Sequence, residues 1–330
     1  MRVAVTAVGG VIGQSIIKAL QNTEYSVIGI NSEVLGAGLY ATKKSYIGKN
    51  AKDPQFIDRL IEICSDANCE IVFSGLDAEL IHLSMNKKRL EKNGVFPVVS
   101  NPKVVELCDD KLKTIEFLKS NHFPAPETFN LRTYSFELDF PIILKPRTGG
   151  QASQGLFLAK NLKDFETFVG SVDLDNYVVQ EFIEGDEYTC GTVSFGNQCV
   201  GTILMKRELR FGNTYKAFVV QNEKLSSFVK NIVDILNPFG PCNVQLRLRK
   251  GTPYIFEFNA RCSGTTAMRA LAGFNEPKMI CDYLSKGVQN PFFKIKEVAI
   301  LRYWKEVVVD YTKIRKMDAD GYIENDRFDL

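Results

Sequence analysis

The strongest constraint on this 330-residue chain is a rhythm in its first third, where short apolar runs alternate with amphipathic ones. Residues 3–7, 26–30, 70–73 and 96–99 read as strands, and 13–21, 54–67 and 77–93 as helices. Strands without in–out alternation bury both faces, so the pattern predicts an open parallel sheet covered by helices on both sides. Asn101-Pro102 then supplies an N-cap and a first-turn proline for a further helix. Residues 1–105 are expected to form one α/β, Rossmann-like domain.

The rhythm stops at His122-Phe123-Pro124-Ala125-Pro126, an extended linker because proline disfavours helix for itself and its predecessor. Beyond it the expected strands come in pairs, 142–145 with 156–159 and 178–182 with 188–195. Gly196-Asn197 and Lys250-Gly251 read as hairpin turns feeding strands at 200–206 and 254–258. Helices are expected at 162–169, 224–236 and 265–271. This is an α+β region with antiparallel sheets.

Composition removes several function classes. Forty-one Lys and Arg against 39 Asp and Glu leave a net charge of +2, too balanced to wrap nucleic acid or to lie on an anionic membrane. Any phosphate must be held by local groups. The only histidines are His82 and His122, and the eight cysteines form no C-x-x-C pair. Serine–histidine, cysteine–histidine and multi-histidine metal mechanisms have almost no material here. Scattered apolar thiols suit a reducing compartment. The glycine-containing N-terminus reads as a strand and turn rather than a leader, and no run reaches the roughly 18 apolar residues of a membrane helix. A cytoplasmic protein is expected.

Four segments carry candidate chemistry. Val8-Gly9-Gly10-Val11-Ile12-Gly13 has the setting of a dinucleotide fingerprint but Val8 in place of its first glycine, so a tight strand-to-helix turn is the favoured reading. Tyr40 and Lys44 have a dehydrogenase-like spacing but come too early in the chain for that role. Second, Lys145 ends an apolar strand, and residues 148–155 form a loop of small and amide side chains. Such a loop folds backbone N–H groups over phosphates while the lysine supplies a point charge. It is not a Walker A loop, and a long hairpin is the other reading. Third, the run from Gln180 to Glu187 offers extended main chain for a base and carboxylates for a ribose, or else a hairpin with solvated acids.

The fourth is the most specific. Gln245 lies on one apolar strand and Glu257 and Asn259, two apart, on the next. Three oxygen-bearing side chains on one face make a hard-cation site suited to magnesium. A surface polar stripe explains poorly why they sit among Val244, Leu246, Ile255, Phe256 and Phe258.

Together these segments resemble the ATP-grasp superfamily, in particular the part related to the carbamoyl phosphate synthase large subunit and the carboxylate–amine ligases. The marks are Asp109-Asp110-Lys111, Ile143-Leu144-Lys145-Pro146, the glycine loop, the run from Gln180 to Glu187, Asn243-Val244-Gln245 and Glu257-Phe258-Asn259-Ala260-Arg261. Ala260 departs from the usual proline. The resemblance implies a pre-ATP-grasp domain over 1–105 and an ATP-grasp domain over 106–300, with a small lid part at about 124–185, a large part at about 186–300 and an extension over 301–330. It implies that Lys111, Lys145 and the loop residues Gly149, Gly150, Ser153 and Gly155 meet ATP phosphates. Glu181, Phe182 and Ile183 would meet the adenine, and Glu187 the ribose. Gln245, Glu257 and Asn259 would hold two Mg²⁺ ions, with Mn²⁺ as a substitute, and Arg261 would face the transferring phosphoryl group and the oxyanion.

The expected activity is ATP-dependent ligation of a small-molecule carboxylate to an amine through an acyl phosphate, with ADP and phosphate released. Alternatives are a carbamoyl-phosphate-synthase-like bicarbonate kinase, a nucleotide-binding regulator without turnover and, more weakly, an oxidoreductase built on the first domain. Lys206 and Arg207 are candidates for a substrate carboxylate or a solvated strand end, and Ser263 and Thr265 for an anion site or a helix cap. No nucleic-acid or membrane partner is expected, and a homo-oligomer is compatible with these features.

Overall fold

The structure is a computed structural model and describes residues 1–149, 154–303 and 305–325. Five strands, β1 (Arg2–Val5), β2 (Ser26–Asn31), β3 (Lys44–Ile47), β4 (Ile71–Phe73) and β5 (Phe96–Pro97), lie parallel in the order β3-β2-β1-β4-β5. Their apolar residues are buried, as in Val3, Val5, Ile71 and Phe73, and helices cover both faces. These helices are α1 (Val11–Leu20), α2 (Phe56–Asp66), α3 (Asp77–Met85) and α4 (Lys87–Lys92). The single helix expected over 77–93 is broken at Asn86, whose side-chain amide donates to the His82 carbonyl at 2.9 Å and ends the first segment. Gly13 lets α1 press onto the strand end, since a Cβ there would stand 2.6 Å from the Ala7 carbonyl oxygen.

Helices α5 (Pro102–Asp109) and α6 (Lys111–Ser120) follow, α5 capped by Asn101 accepting from the Val104 N–H. Two antiparallel sheets come next. The smaller contains β6 (Thr128–Asn130), β7 (Ile142–Pro146), β8 (Phe157–Ala159) and β9 (Tyr177–Glu181) in the order β6-β9-β7-β8, with α7 (Leu162–Val169) beside it. The larger contains β10 (Asp186–Phe195), β11 (Gln198–Arg210), β12 (Asn213–Val220), β13 (Gly240–Arg249), β14 (Thr252–Asn259) and β15 (Ala299–Leu301) in the order β14-β13-β10-β11-β12-β15. Helix α8 (Glu223–Leu236) packs against it, while α9 (Thr266–Leu271) and α10 (Glu276–Lys286) lie between it and the first sheet.

One expected pairing is corrected. The strands at 178–182 and 188–195 are not a hairpin: β9 pairs with β6 and β7, and β10 with β11 and β13. The chain crosses between sheets at Gly185, whose φ of +122° and near contact with the Leu248 carbonyl, 1.9 Å from a built Cβ, exclude any side chain. The end of the chain is also informative. Helix α11 (Tyr311–Asp320) returns it to the first sheet, where β16 (Tyr322–Glu324) pairs antiparallel with β3 and buries Ile323. The first sheet is therefore mixed rather than wholly parallel. Among the described residues no helix is long and apolar enough to cross a membrane.

The first and last sheets share a core. Val5 and Ile16 belong to the same buried cluster as Val193, Ile203, Met268 and Ile280. Ser15 Oγ accepts from the Ala267 N–H at 2.8 Å, and the Asn275 amide donates to the Ala19 carbonyl at 2.6 Å. The wall between the two sheets is fixed in place by these contacts.

Glu79 is the one buried acid of the first domain that lacks a cationic partner among the described residues; it accepts from Thr6 and, at 2.6 Å, from Ser74. Burial outweighs those bonds and raises its carboxyl from 4.5 to about 7. The folded state therefore binds more protons than the unfolded one between those values, and stability falls as pH rises through the window. Linkage puts the loss at about 3 kcal/mol. Denaturant melts from pH 4.5 to 8 are expected to show that loss in the wild type and little of it in Glu79→Gln; parallel curves for the two would refute the assignment.

Candidate active site

A cavity of about 800 Å³ lies where the three sheets meet, within the size range of organic-ligand sites. Its floor comes from the β13–β14 ladder. The register places Gln245 directly opposite Glu257 and Asn243 opposite Asn259, so Gln245, Glu257 and Asn259 share the face that lines the cavity. Val244 and Phe258 point the other way and are fully buried. Glu257 makes no hydrogen bond or ion pair among the described residues, although it stands between Phe256 and Phe258. Gln245 Oε1 accepts from Arg207 at 2.5 Å and Asn259 Oδ1 from Arg261 at 2.8 Å, which leaves each carbonyl a second lone pair. An unpaired carboxylate flanked by two amide oxygens is the donor set of a hard divalent cation, so these residues fit magnesium.

Lys145 reaches the same face from β7 and is 8% exposed. Its Nζ donates to Gln180 Oε1 at 2.9 Å and to the Phe256 carbonyl at 3.5 Å. Burial lowers its pKa to about 8, partly offset by the Glu257 charge. Lys111, also buried, opens α6 beside it and donates to the Asp109 carbonyl at 3.5 Å. The start of the loop is tied to that helix. Arg147 forks onto Asp110 at 2.7–3.0 Å, and the Gly149 N–H donates to Asp109 at 3.0 Å. Gly155 adopts φ +72°, and Gln154 and Leu156 line the cavity. Gly150 and Ser153 lie outside the described residues.

Glu181, Phe182 and Ile183 run along the cavity where the chain leaves β9. Glu181 pairs with Arg249 at 2.5 Å, and the Ile183 carbonyl accepts from Arg247 at 3.2 Å. Glu187 is clamped by two guanidiniums, from Arg207 at 2.6 and 2.9 Å and from Arg247 at 2.7 and 3.1 Å. Burial pushes its carboxyl up, but the two arginines outweigh that and hold it below the ordinary value. Lys206 is not brought to the cavity. Successive residues of a strand face opposite sides, so with Arg207 inward Lys206 turns out to Asp186 at 2.8 Å and is only half-buried. Ser263 and Thr265 do line the cavity; their hydroxyls bond each other at 2.7 Å.

Arg261 is held across the domain junction. Its Nε and Nη2 fork onto Asp77 at 2.6 and 2.8 Å, and Nη1 donates to the Cys262 carbonyl at 3.1 Å. Burial works against the charged form, but Asp77 keeps the guanidinium firmly charged. Sequence reading missed Asp77, although ligands of α/β sheets gather where a strand ends and a helix begins, and Asp77 opens α3 after β4. It also missed Arg247 and Arg302, gave Gln180 no role of its own within its candidate run, and favoured a plain turn for Gly9-Gly10, which lines the cavity. Behind the floor, Arg269 and Glu276 form a fully buried pair at 2.6 Å, with Arg269 also bonded to Asn243 and to Thr189. Through Asn243 that pair holds β13, the strand that carries Gln245.

The fold and cavity define an ATP-grasp protein. Residues 108–265 match the ATP-grasp domain and residues 4–99 the PylC-like N-terminal domain. The chain thus contains an ATP-grasp domain preceded by a PylC-like N-terminal domain. Among curated relatives, a carbamoyl-phosphate synthase of Methanobrevibacter smithii is 28% identical over 145 residues, 42% of this chain and 39% of that one. The chain spans well under half the length of the first curated relatives it matches. Among solved structures, N5-carboxyaminoimidazole synthetase from Staphylococcus aureus in complex with ADP has a TM-score of 0.71 at 17% identity, over 89% of this chain and 79% of that one. An L-amino acid ligase from Bacillus licheniformis has a TM-score of 0.67 at 18% identity, over 86% of this chain and 73% of that one. These structures share the fold.

Proposed function

We propose that this chain is an ATP-dependent carboxylate–amine ligase working through an acyl phosphate. The observation that carries this is the convergence of Glu257, Gln245 and Asn259 on the cavity face shared with Lys145 and Arg261. In this reading Glu257, Gln245 and Asn259 hold magnesium, which when bound neutralises charge on the nucleotide phosphates. Lys145 and Lys111 place cations at the phosphates, and the main chain of 181–183 offers N–H and C=O groups to the base. Arg261, forked and pre-oriented by Asp77, stabilises negative charge at the reacting carboxylate and the later oxyanion. Keeping water from the acyl phosphate is assigned to the glycine loop, whose residues 150–153 lie outside the described residues.

The test is an ADP-release screen of carboxylates paired with amines, with Lys145→Ala as the blank. At least one pair is expected to release ADP in the wild type only. Equal release by wild type and blank for every pair would remove the ligase reading.

A further inference from the structure

Arginine is the main cation of this cavity, and the four arginines on its wall are not equivalent. Arg207 and Arg247 pair with Glu187, and Arg261 pairs with Asp77. Arg302 differs in that no carboxylate among the described residues pairs with it; its guanidinium donates to the Gly264 carbonyl. Burial lowers its pKa, and no acid among the described residues offsets that effect. The nearby charge has the same sign: Lys18 is held down first by burial and then by Arg302 and Lys305. A half-buried guanidinium without a counter-charge is costly, and its planar fork matches a carboxylate.

Its position matters as much as its charge. Arg302 follows β15, and its backbone N–H donates to the Tyr215 carbonyl at 2.9 Å, which pins it to the large sheet. It reaches the carbonyl of Gly264, three residues beyond Arg261, on the wall of the cavity that Lys145, Gln245, Glu257 and Asn259 also line. Gly264 sits tightly against the start of α1, where a Cβ would come 2.9 Å from a Val11 methyl. Val11, Ile12 and Leu35 give this end of the cavity apolar lining.

We infer that Arg302 anchors a non-reacting carboxylate of an organic substrate. The inference rests on the ligase reading for the location of the reacting centre. It narrows the substrates to a pair that carries a carboxylate besides the reacting one, and it sets bicarbonate with ammonia aside. The carboxylate belongs either to an amino acid that supplies the amine or to a dicarboxylate that supplies the acyl group.

The test uses the full chain with Mg-ADP and three probe sets at millimolar concentration: the common L-amino acids, their carboxamides, and succinate and glutarate. Thermal shift reads binding, and ADP release from ATP is followed in parallel. At least one carboxylate is expected to raise Tm, its carboxamide is not, and Arg302→Gln should weaken that binding by about 100-fold while Mg-ADP still binds. Arg302→Lys should fall between, since it keeps the charge and loses the fork. A response to amino acids assigns the anchor to the amine substrate, and a response to the dicarboxylates assigns it to the acyl donor. Carboxamides that bind as well as the acids, an undiminished response in Arg302→Gln, or no response to any carboxylate each overturns the inference. Turnover unaffected by Arg302→Gln would leave the ligase standing without the anchor, whereas Arg302-dependent binding with no ADP release from any pair would do the reverse.

Discussion

Arg261→Ala is expected to lower kcat by about 10³-fold while the Kd for Mg-ATP changes by no more than about threefold. The guanidinium is nearly enclosed, with 11% of its side chain exposed, and it is held by Asp77, Asn259 and the Cys262 carbonyl. A group so constrained needs little reorganisation when charge develops beside it, which is the condition under which a donor favours the transition state over the ground state. Nucleotide affinity is assigned to Lys145, Lys111 and the 181–183 main chain, none of which bonds to Arg261. Arg261→Lys should do almost as badly, because an ammonium cannot reproduce the fork onto Asp77. Asp77→Asn separates positioning from charge: kcat should drop by about tenfold with KM for ATP unchanged, since the arginine stays but loses its orienting partner. Steady-state kinetics with nucleotide titrations read all three. Loss of nucleotide affinity with surviving turnover in Arg261→Ala would contradict the role.

The parts of this molecule legible in the sequence were those governed by local periodicity. The apolar strands of the first sheet, the Asn101-Pro102 cap and the hairpins at Gly196-Asn197 and Lys250-Gly251 all follow from rules that act within a few residues. The shared face of Gln245, Glu257 and Asn259 was legible for the same reason, because strand alternation plus a short turn nearly determines the register. What was not legible depends on long-range choices. The strand ending at Glu181 and the one beginning at Asp186 had the look of a hairpin, but both had better partners elsewhere and Gly185 let the chain change sheets. Asp77 and Arg302 lie 184 and 41 positions from Arg261 along the chain, and nothing local marks them as lining the same cavity. Residues 322–324 are too short to announce a strand until β3 offers an open edge.

The second large effect concerns Lys145, whose affinity for nucleotide should depend on pH in a particular direction. In the free protein burial brings its pKa from 10.5 to about 8. The folded state thus binds fewer protons than the unfolded one between those values, so this group costs stability below about pH 8, and the cost fades as pH climbs towards 10.5. Nucleotide phosphates are already ionised in that range and favour the ammonium, so binding draws its pKa back up. Above pH 8 the protein must therefore take up a proton to bind, and the Kd for Mg-ATP should rise with pH by up to about tenfold per unit. Below pH 8 the dependence should vanish. Lys145→Met should bind about 100-fold more weakly at pH 7, because a charge-assisted contact is lost, and should show no such slope. Lys145→Arg should keep part of the affinity and also lose the slope, since a guanidinium does not titrate there. Calorimetry from pH 7 to 9.5 in two buffers of different ionisation enthalpy measures both the affinity and the proton count. A wild-type affinity that stays flat across this range, with no proton taken up, would mean that Lys145 does not meet the phosphates, and the nucleotide would have to lie elsewhere in the cavity.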